Sequence, residues 1–320
     1  MEVEMFYIGV DLGGTNIAAG LVNSEGKIIA KGSVPTLRKR EYPEIIKDMA
    51  ALIFDLINSQ GMNISDFHSI GVGSPGIPDC SEGKIVYASN INFRDVPLRK
   101  ELQKYINLPV YVNNDANIAA FAESVAGAAK GYKTSVTVTI GTGIGSGIII
   151  DGKIFSGFNN AATEFGHMVL QMNGEPCNCG RRGCWETYAS ATACINQTKA
   201  AAAQNPDSLI NKLVGGDLDK IDAKTAFDAA KQGDEAAVNV VDQYIRYIGA
   251  GLANIINCFQ PEVIVIGGGV CKEGEYLLAP LREFVKANTF APAHNIKIAE
   301  IKAAEMGNDA GIVGAAMLRE

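Results

Sequence analysis

Four residues with the chemistry of zinc ligands lie close together in the chain. His167 is followed by Cys177, Cys179 and Cys184, the three thiols falling in the stretch Cys177-Asn-Cys179-Gly-Arg-Arg-Gly-Cys184-Trp-Glu186. Zinc takes four soft or borderline ligands in a tetrahedron, and three thiolates with one imidazole complete that set. The competing reading is a loop with chance cysteines, and ligand type and count weigh against it. A closed Cys3His site leaves no position for a substrate, so the expected role is structural. Gly180 and Gly183 would let the chain turn tightly about an ion. The spacing is not that of a nucleic-acid zinc finger. Glu164 precedes the loop and Glu186 follows it, so the loop would pin two carboxylates close to each other.

Two glycine-rich turns offer a second kind of chemistry. The first, Gly13-Gly14-Thr15-Asn16, follows an apolar run ending at Asp11. Glycines leave backbone N–H groups uncovered and a threonine hydroxyl adds a donor, a combination that can hold a phosphate. On its own this turn is equally an ordinary tight hairpin. The same order of parts recurs at Val136–Ile140, Gly141-Thr142-Gly143-Ile-Gly145-Ser146-Gly147, Ile148–Ile150, Asp151-Gly152 and Lys153–Phe155. The repetition suggests a duplicated domain with two phosphate-holding hairpins facing one cleft. Neither turn is a P-loop, which ends in Gly-Lys-Ser/Thr, nor a Rossmann turn, which opens a helix.

Asp115 is the candidate for proton transfer. It follows a short strand, Val110 to Val112, and stands in Asn113-Asn114-Asp115 at the entry to a helix from Ala116 to Ala126. A carboxylate beside an amide at a strand's end can accept a proton. The local alternative is a helix N-cap, for which Asp and Asn are both favoured.

The remaining elements must position these groups. Strands are expected at Phe6–Val10, Ile17–Val22, Lys27–Val34 and Ser69–Val72, the last ending in the rigid turn Gly73-Ser-Pro-Gly76. Ile45, Ile46, Met49, Leu52, Ile53, Leu56 and Ile57 recur at helical spacing. Asp95-Val-Pro97 would start a helix running to about Ile106. After the zinc stretch, helices are expected from Thr187 to about Ala203, over 223–231 and over 234–258. A buried strand at Val263–Ile266 follows, then Gly267-Gly268-Gly269 and a helix from near Gly274, with a last helix from Asp309 through Leu318.

Composition sets the outer bounds. The 320 residues suit two ordinary domains, and 47% hydrophobic with 20% charged residues provides for a large core. A net charge of −7 argues against nucleic acid as the main partner. Met1-Glu-Val-Glu is acidic with no apolar run behind it, and no stretch approaches the ~20 apolar residues that cross a bilayer. A cytoplasmic protein without membrane contact is expected. Cys80, Cys194, Cys258 and Cys271 are read as reduced core residues, and His68 and His294 as surface or packing residues.

These residues together resemble the ROK family (repressor, ORF, kinase) of bacterial sugar kinases, over essentially the whole chain. The resemblance is carried by Asp11-Leu-Gly-Gly-Thr15-Asn16, Gly73-Ser-Pro-Gly76, Asn113-Asn-Asp115-Ala-Asn117 and Gly141-Thr142-Gly143-Ile-Gly145-Ser-Gly147. Its most specific part is Glu164-Phe-Gly-His167 leading to Cys177–Glu186. It implies an α/β fold of the two-lobed actin, hexokinase and Hsp70 kind, with duplicated ribonuclease-H-like domains and a cleft between them. Residues 1–112 with 306–320 would form the smaller lobe, and 113–305 the larger.

The implied reaction is transfer of the ATP γ-phosphoryl group to the 6-hydroxyl of glucose, with Mg2+. Asp115 would be the general base. Asn114, Asp115, Glu164, His167 and Glu186 would bind the hexose, with Asn90 a weaker candidate. Asp11 would hold Mg2+ through its water, since magnesium gives up its hydration reluctantly. Gly13, Gly14, Thr15 and Asn16 would face the β- and γ-phosphates, Thr142 and Gly143 their other side, and Gly268 and Gly269 the adenosine. His167, Cys177, Cys179 and Cys184 would hold one structural Zn2+, and a homodimer is expected. Three alternatives stay open: a family kinase for N-acetylmannosamine, fructose or allose, a sugar-sensing regulator, and a non-catalytic ATPase.

Overall fold

The computed structural model describes residues 5–319, apart from the side chain of Ser89. The acidic Met1–Glu4 segment, on which the absence of a leader was argued, lies outside the described residues. Among the described residues no helix is long and apolar enough to cross a membrane.

The chain forms two compact units. The first comprises Met1–Thr137, Gly147–Thr163 and Glu305–Glu320, and the second Val138–Ser146 and Glu164–Ala304. The expected lobes had residues 113–137 and 147–163 in the second part. The contacts group them with the first.

Strands β1 (Phe6–Leu12), β2 (Asn16–Asn23) and β3 (Ile28–Pro35) make an antiparallel meander. β4 (Phe67–Ser74) joins β1 in parallel. Three short strands follow, β5 (Ile77–Asp79), β6 (Lys84–Ala88) and β7 (Phe93–Val96), in a separate antiparallel sheet. β8 (Val110–Asn114) then returns parallel to β4. The first large sheet therefore has the order β3-β2-β1-β4-β8. The second contains β9 (Thr134–Ile140), β10 (Ile144–Ile150), β11 (Lys153–Phe155), β12 (Val263–Gly267) and β13 (Glu300–Ala303), in the order β11-β10-β9-β12-β13. The two orders are the same pattern, so the repeat read from the hairpins extends to the whole sheet.

Alternation places Ile8, Val10 and Leu12 on one face of β1, where they pack with Ile45, Ile46, Met49 and Ile53 of helix α1 (Tyr42–Ser59). Tyr7 points to the other face and packs with Ile312, Val313 and Ala316. The expected helix over 95–106 is only α2 (Leu98–Leu102). Asp95 has φ +50°, Phe93–Val96 is extended, and Pro97 supplies the cap position, so the helix begins after the proline. Helix α3 (Asp115–Ala126) follows β8 directly.

In the second unit the expected single helix after the zinc stretch is two, α4 (Glu186–Ala189) and α5 (Ala191–Gln204). Ser190 interrupts them because its hydroxyl caps α5, accepting the Ala193 N–H at 3.1 Å. Helices α6 (Leu209–Leu213), α7 (Thr225–Ala230), α8 (Glu235–Phe259) and α9 (Glu275–Asn288) complete that unit. The stripe Val240, Val241, Tyr244, Ile245, Ile248, Leu252, Ile255 and Ile256 of α8 is buried as expected. Cys194 is buried, Cys80 and Cys271 are half-buried, and Cys258 is exposed, so the last is not a core residue. His68 stands edge-on to Tyr7, and His294 lies against Phe290.

The last helix, α10 (Ala310–Ala316), rejoins the first unit, and a buried carboxylate holds its approach. Glu123 of α3 is 2% exposed. It accepts the backbone N–H groups of Ala128 at 2.8 Å, Glu305 at 3.0 Å and Met306 at 2.9 Å. Glu123→Ala leaves one buried and two part-buried donors without their acceptor and is expected to cost about 2 kcal/mol or more in denaturant unfolding. A change below about 0.5 kcal/mol, the level of a neutral surface substitution, would show that the contact is dispensable.

Candidate active site

In the first unit the glycine turn is built as the sequence suggested, and a residue sequence reasoning missed holds it. Thr36 is fully buried. Its hydroxyl donates to the Gly13 carbonyl at 2.7 Å and its N–H to the Thr15 carbonyl at 2.8 Å. The Gly13 N–H closes the turn on the Asn16 carbonyl at 2.9 Å. Among the described residues the N–H groups of Gly14 and Thr15 and the Thr15 hydroxyl have no protein acceptor. A turn rigid in its carbonyls and uncommitted in its donors suits an anion. Gly14 lies against the backbone of Asn90, whose carbonyl oxygen would sit 3.2 Å from a β-carbon there.

Asp11 ends the same strand. Burial pushes its carboxyl above the usual carboxylate range. No side chain or amide among the described residues bonds that carboxylate. A half-buried carboxylate with no protein cation fits a divalent cation, directly or through its water.

At β8 and α3 the structure corrects the local alternative for Asp115. The N-cap is Asn114, whose Oδ1 accepts the N–H groups of Ala116 at 2.9 Å and Asn117 at 3.3 Å. The Asn114 amide also donates to the Gly76 carbonyl at 3.0 Å, so this expected hexose ligand is largely committed to the fold. Asp115 is the first helical residue, exposed, with Oδ1 on the Ala116 N–H at 2.8 Å. Asn113 Oδ1 accepts the Asn114 N–H at 2.8 Å and an Asn117 amide proton at 3.2 Å.

In the second unit the zinc ligands converge. The ligand atoms of His167, Cys177, Cys179 and Cys184 all lie within 4.8 Å of one another. Cys179 and Cys184 sulfurs are 3.6 Å apart, and His167 Nδ1 is 3.7 Å from the Cys177 sulfur. A tetrahedron with Zn–S bonds of about 2.3 Å has edges near 3.8 Å. The residues therefore fit a structural zinc. Gly180 and Gly183 are left-handed, at φ +87° and +79°, as the loop requires. Burial raises the Cys177 and Cys184 thiols, whereas the Arg181 backbone amide lowers Cys179. The Arg181 guanidinium bonds the His167 carbonyl, tying the two ends of the loop. Trp185 is fully buried, its indole N–H on the Tyr247 carbonyl at 2.8 Å and its ring against Gly251 of α8.

Glu186 follows that anchor and joins the loop to the second glycine turn. Its Oε1 accepts from the Cys177 thiol at 3.1 Å and lies 3.5 Å from His167 Nδ1. Its Oε2 accepts the Ile144 N–H at 3.3 Å and lies against Gly143. The turn proper is Gly141–Gly143, closed by the Gly141 N–H on the Gly143 carbonyl at 3.0 Å. Gly145 and Gly147, expected in the turn, belong to β10. The Thr192 hydroxyl and the Ala191 N–H, missed in the sequence, hold the carbonyls of Thr142 and Gly141. A cavity of about 670 Å³ opens beside Thr142 and Gly143, with Glu186, Thr192, Asn196 and Tyr247 in its wall.

Glu164 is exposed and its carbonyl accepts the His167 N–H at 3.0 Å. The Phe165 N–H donates to the Ser146 hydroxyl at 3.2 Å. Gly268 has φ +94° and lies on the Ile140 carbonyl, one residue before the second turn, where no side chain fits. A β-carbon at Gly269 would meet nothing within 4 Å.

Duplicated sheets of one strand order, each with a glycine-rich hairpin, define an α/β fold of the actin-like ATPase class. Within that class residues 7–320 match the ROK family, and the chain belongs to it. It is 39% identical to the glucokinase of Halalkalibacterium halodurans, over 98% of this chain and 95% of that one. It is 32% identical to the xylose repressor of Bacillus spizizenii, over 97% of this chain and 75% of the repressor. Among solved structures it is similar to the ROK family glucokinase from Streptomyces griseus in complex with glucose and AMPPNP. That similarity has a TM-score of 0.80 and 37% identity, and covers 97% of this chain and 98% of the other.

Proposed function

We propose that the protein phosphorylates glucose at its 6-hydroxyl with ATP, giving glucose 6-phosphate and ADP. The observation that carries this reading is the placement of Glu186. One carboxylate lies between the Cys3His cluster and the second glycine turn: Oε1 is 3.1 Å from the Cys177 sulfur and Oε2 accepts the Ile144 N–H at 3.3 Å. The identity to glucokinases supports the sugar.

Asp115 accepts the 6-hydroxyl proton as that oxygen attacks the γ-phosphorus, and the bond to the β-γ bridging oxygen breaks. Gly13–Asn16 and Thr142–Gly143 hold the phosphates by N–H and hydroxyl donors, and catalysis of this kind is mostly such positioning. Asp11 would hold Mg2+, which when bound would offset charge on the phosphates. Gly268, Gly269 and the cavity beside Thr142 take the nucleoside.

Glu164, His167 and Glu186 bind hexose hydroxyls, with the second amide proton of Asn114, the first being given to Gly76, and Asn90 as further candidates. With Nδ1 turned to the thiols, His167 presents its other ring nitrogen as a donor. With zinc held by its ligands, Cys177 would have no proton to donate, and Glu186 Oε1 would be left to accept from a sugar hydroxyl. A homodimer, a cytoplasmic location and the absence of a nucleic-acid partner belong to the same reading, the last supported by the net charge of −7.

A coupled ADP-release assay across hexoses and hexosamines tests the assignment. Glucose is expected to give the highest kcat/KM. Preference for N-acetylmannosamine, fructose or allose would replace the sugar, and ADP release without any sugar would remove the kinase.

A further inference from the structure

The residue just before Glu164 has a backbone conformation its side chain disfavours. Thr163 has φ +71°. Among the described residues it is the only β-branched residue with positive φ; the other non-glycine cases are Leu37, Asn92, Asp95, Asp151, Asn160, Asn173, Gln260 and Asn295. A branched β-carbon clashes with the chain in this region, so something must hold it there. Such strain persists only where surrounding contacts over-determine it.

The Thr163 hydroxyl supplies such a contact. It lies 2.6 Å from the Ala162 carbonyl and 3.3 Å from Asn117 Oδ1. The orientation of the Asn117 amide follows from its other end. Asn117 Nδ2 donates to Asn113 Oδ1, and that oxygen is fixed because it also accepts the Asn114 N–H. Asn117 therefore turns its oxygen to Thr163, and the hydroxyl is the donor, shared between the two acceptors. Asn117 and Asn113 are both buried, at 3% and 8% exposure. The relay Thr163–Asn117–Asn113 is thus anchored in α3 and β8, and the chain leaves the first unit at the Thr163–Glu164 peptide.

We propose that Thr163 is a positioning residue for the hexose site: the hydroxyl relay through Asn117 holds it left-handed and so fixes where Glu164 leaves the chain. This rests on the reading of Glu164 as a hexose ligand. Thr163 itself touches no reacting atom.

Three variants separate hydroxyl from backbone, assayed with the hexose the wild-type enzyme uses best. Thr163→Val keeps the branch and removes the hydroxyl, and is expected to raise the sugar KM about tenfold with the ATP KM unchanged. Thr163→Gly accepts positive φ without strain but also lacks the hydroxyl. It should raise the sugar KM similarly while folding at least as stably, which guards against a Thr163→Val protein that fails to fold. Thr163→Ser retains the donor and should stay within about twofold of the wild-type sugar KM. An unchanged sugar KM in Thr163→Gly, or a loss in Thr163→Ser equal to that in Thr163→Val, would overturn the proposal. Failure of the kinase reading is seen separately, in the wild-type protein, as no sugar-dependent turnover.

Discussion

Asp115→Asn is expected to lower kcat by about 10³-fold or more, the scale of losing a positioned general base, with glucose affinity retained within a few-fold. The substitution keeps the size of the side chain and its place at the first position of α3. The Asn114 cap, which is made by the neighbouring residue, is untouched. What disappears is a group able to take the proton. The substrate hydroxyl is a poor nucleophile while it holds that proton, so the loss falls on the chemical step and not on binding. Coupled kinetics for kcat and calorimetry for glucose affinity separate the two. A variant with near wild-type kcat would remove Asp115 from the base role, and one that no longer bound glucose would make it primarily a sugar ligand.

The second large effect concerns the metal loop. Cys184 is fully buried, and its loss reduces a four-ligand site to three. Cys184→Ser is expected to lose its zinc and to lower kcat/KM for glucose about 100-fold or more, the upper range seen for disturbed metal sites. His167 is itself a ligand, and Glu186 lies two residues after Cys184, so losing the ion frees the imidazole and loosens the loop that sets Glu186. Folding damage is a rival cause, and the wild-type protein distinguishes it. Strong chelation should reduce glucose turnover and added zinc should restore it, with about one zinc per chain at full activity. Zinc-free protein with normal sugar kinetics would dispose of the scaffold.

What the sequence revealed depended on whether the signal was local. The meanders announced themselves through alternating apolar residues and glycine turns, and α1 and α8 through their helical stripes. Their repetition led to the duplicated sheet, whose full strand order no hairpin could have given. The zinc ligands were legible because ligand type and count are properties of the residues themselves.

The small sheet β5–β7 was not legible. Its strands have three to five residues and mixed burial, as in the pattern of Lys84–Ala88, so no period is established. β13 is four residues and gains its place only by pairing with β12. Asn114 and Asp115 are equally good caps by type, and only the structure assigns the cap to Asn114. Thr36, Thr163 and Asn117 were invisible as site residues because Thr36 acts on Gly13, 23 residues away, and Thr163 meets Asn117 across 46 residues. Single polar residues of common type carry no such information until the fold brings them together.

The most direct test of the central claim is identification of the product from glucose and ATP by phosphorus and carbon NMR. Glucose 6-phosphate is expected, formed one for one with ADP and only when glucose is present. Phosphate on another carbon, or ADP released at the same rate without sugar, would contradict it.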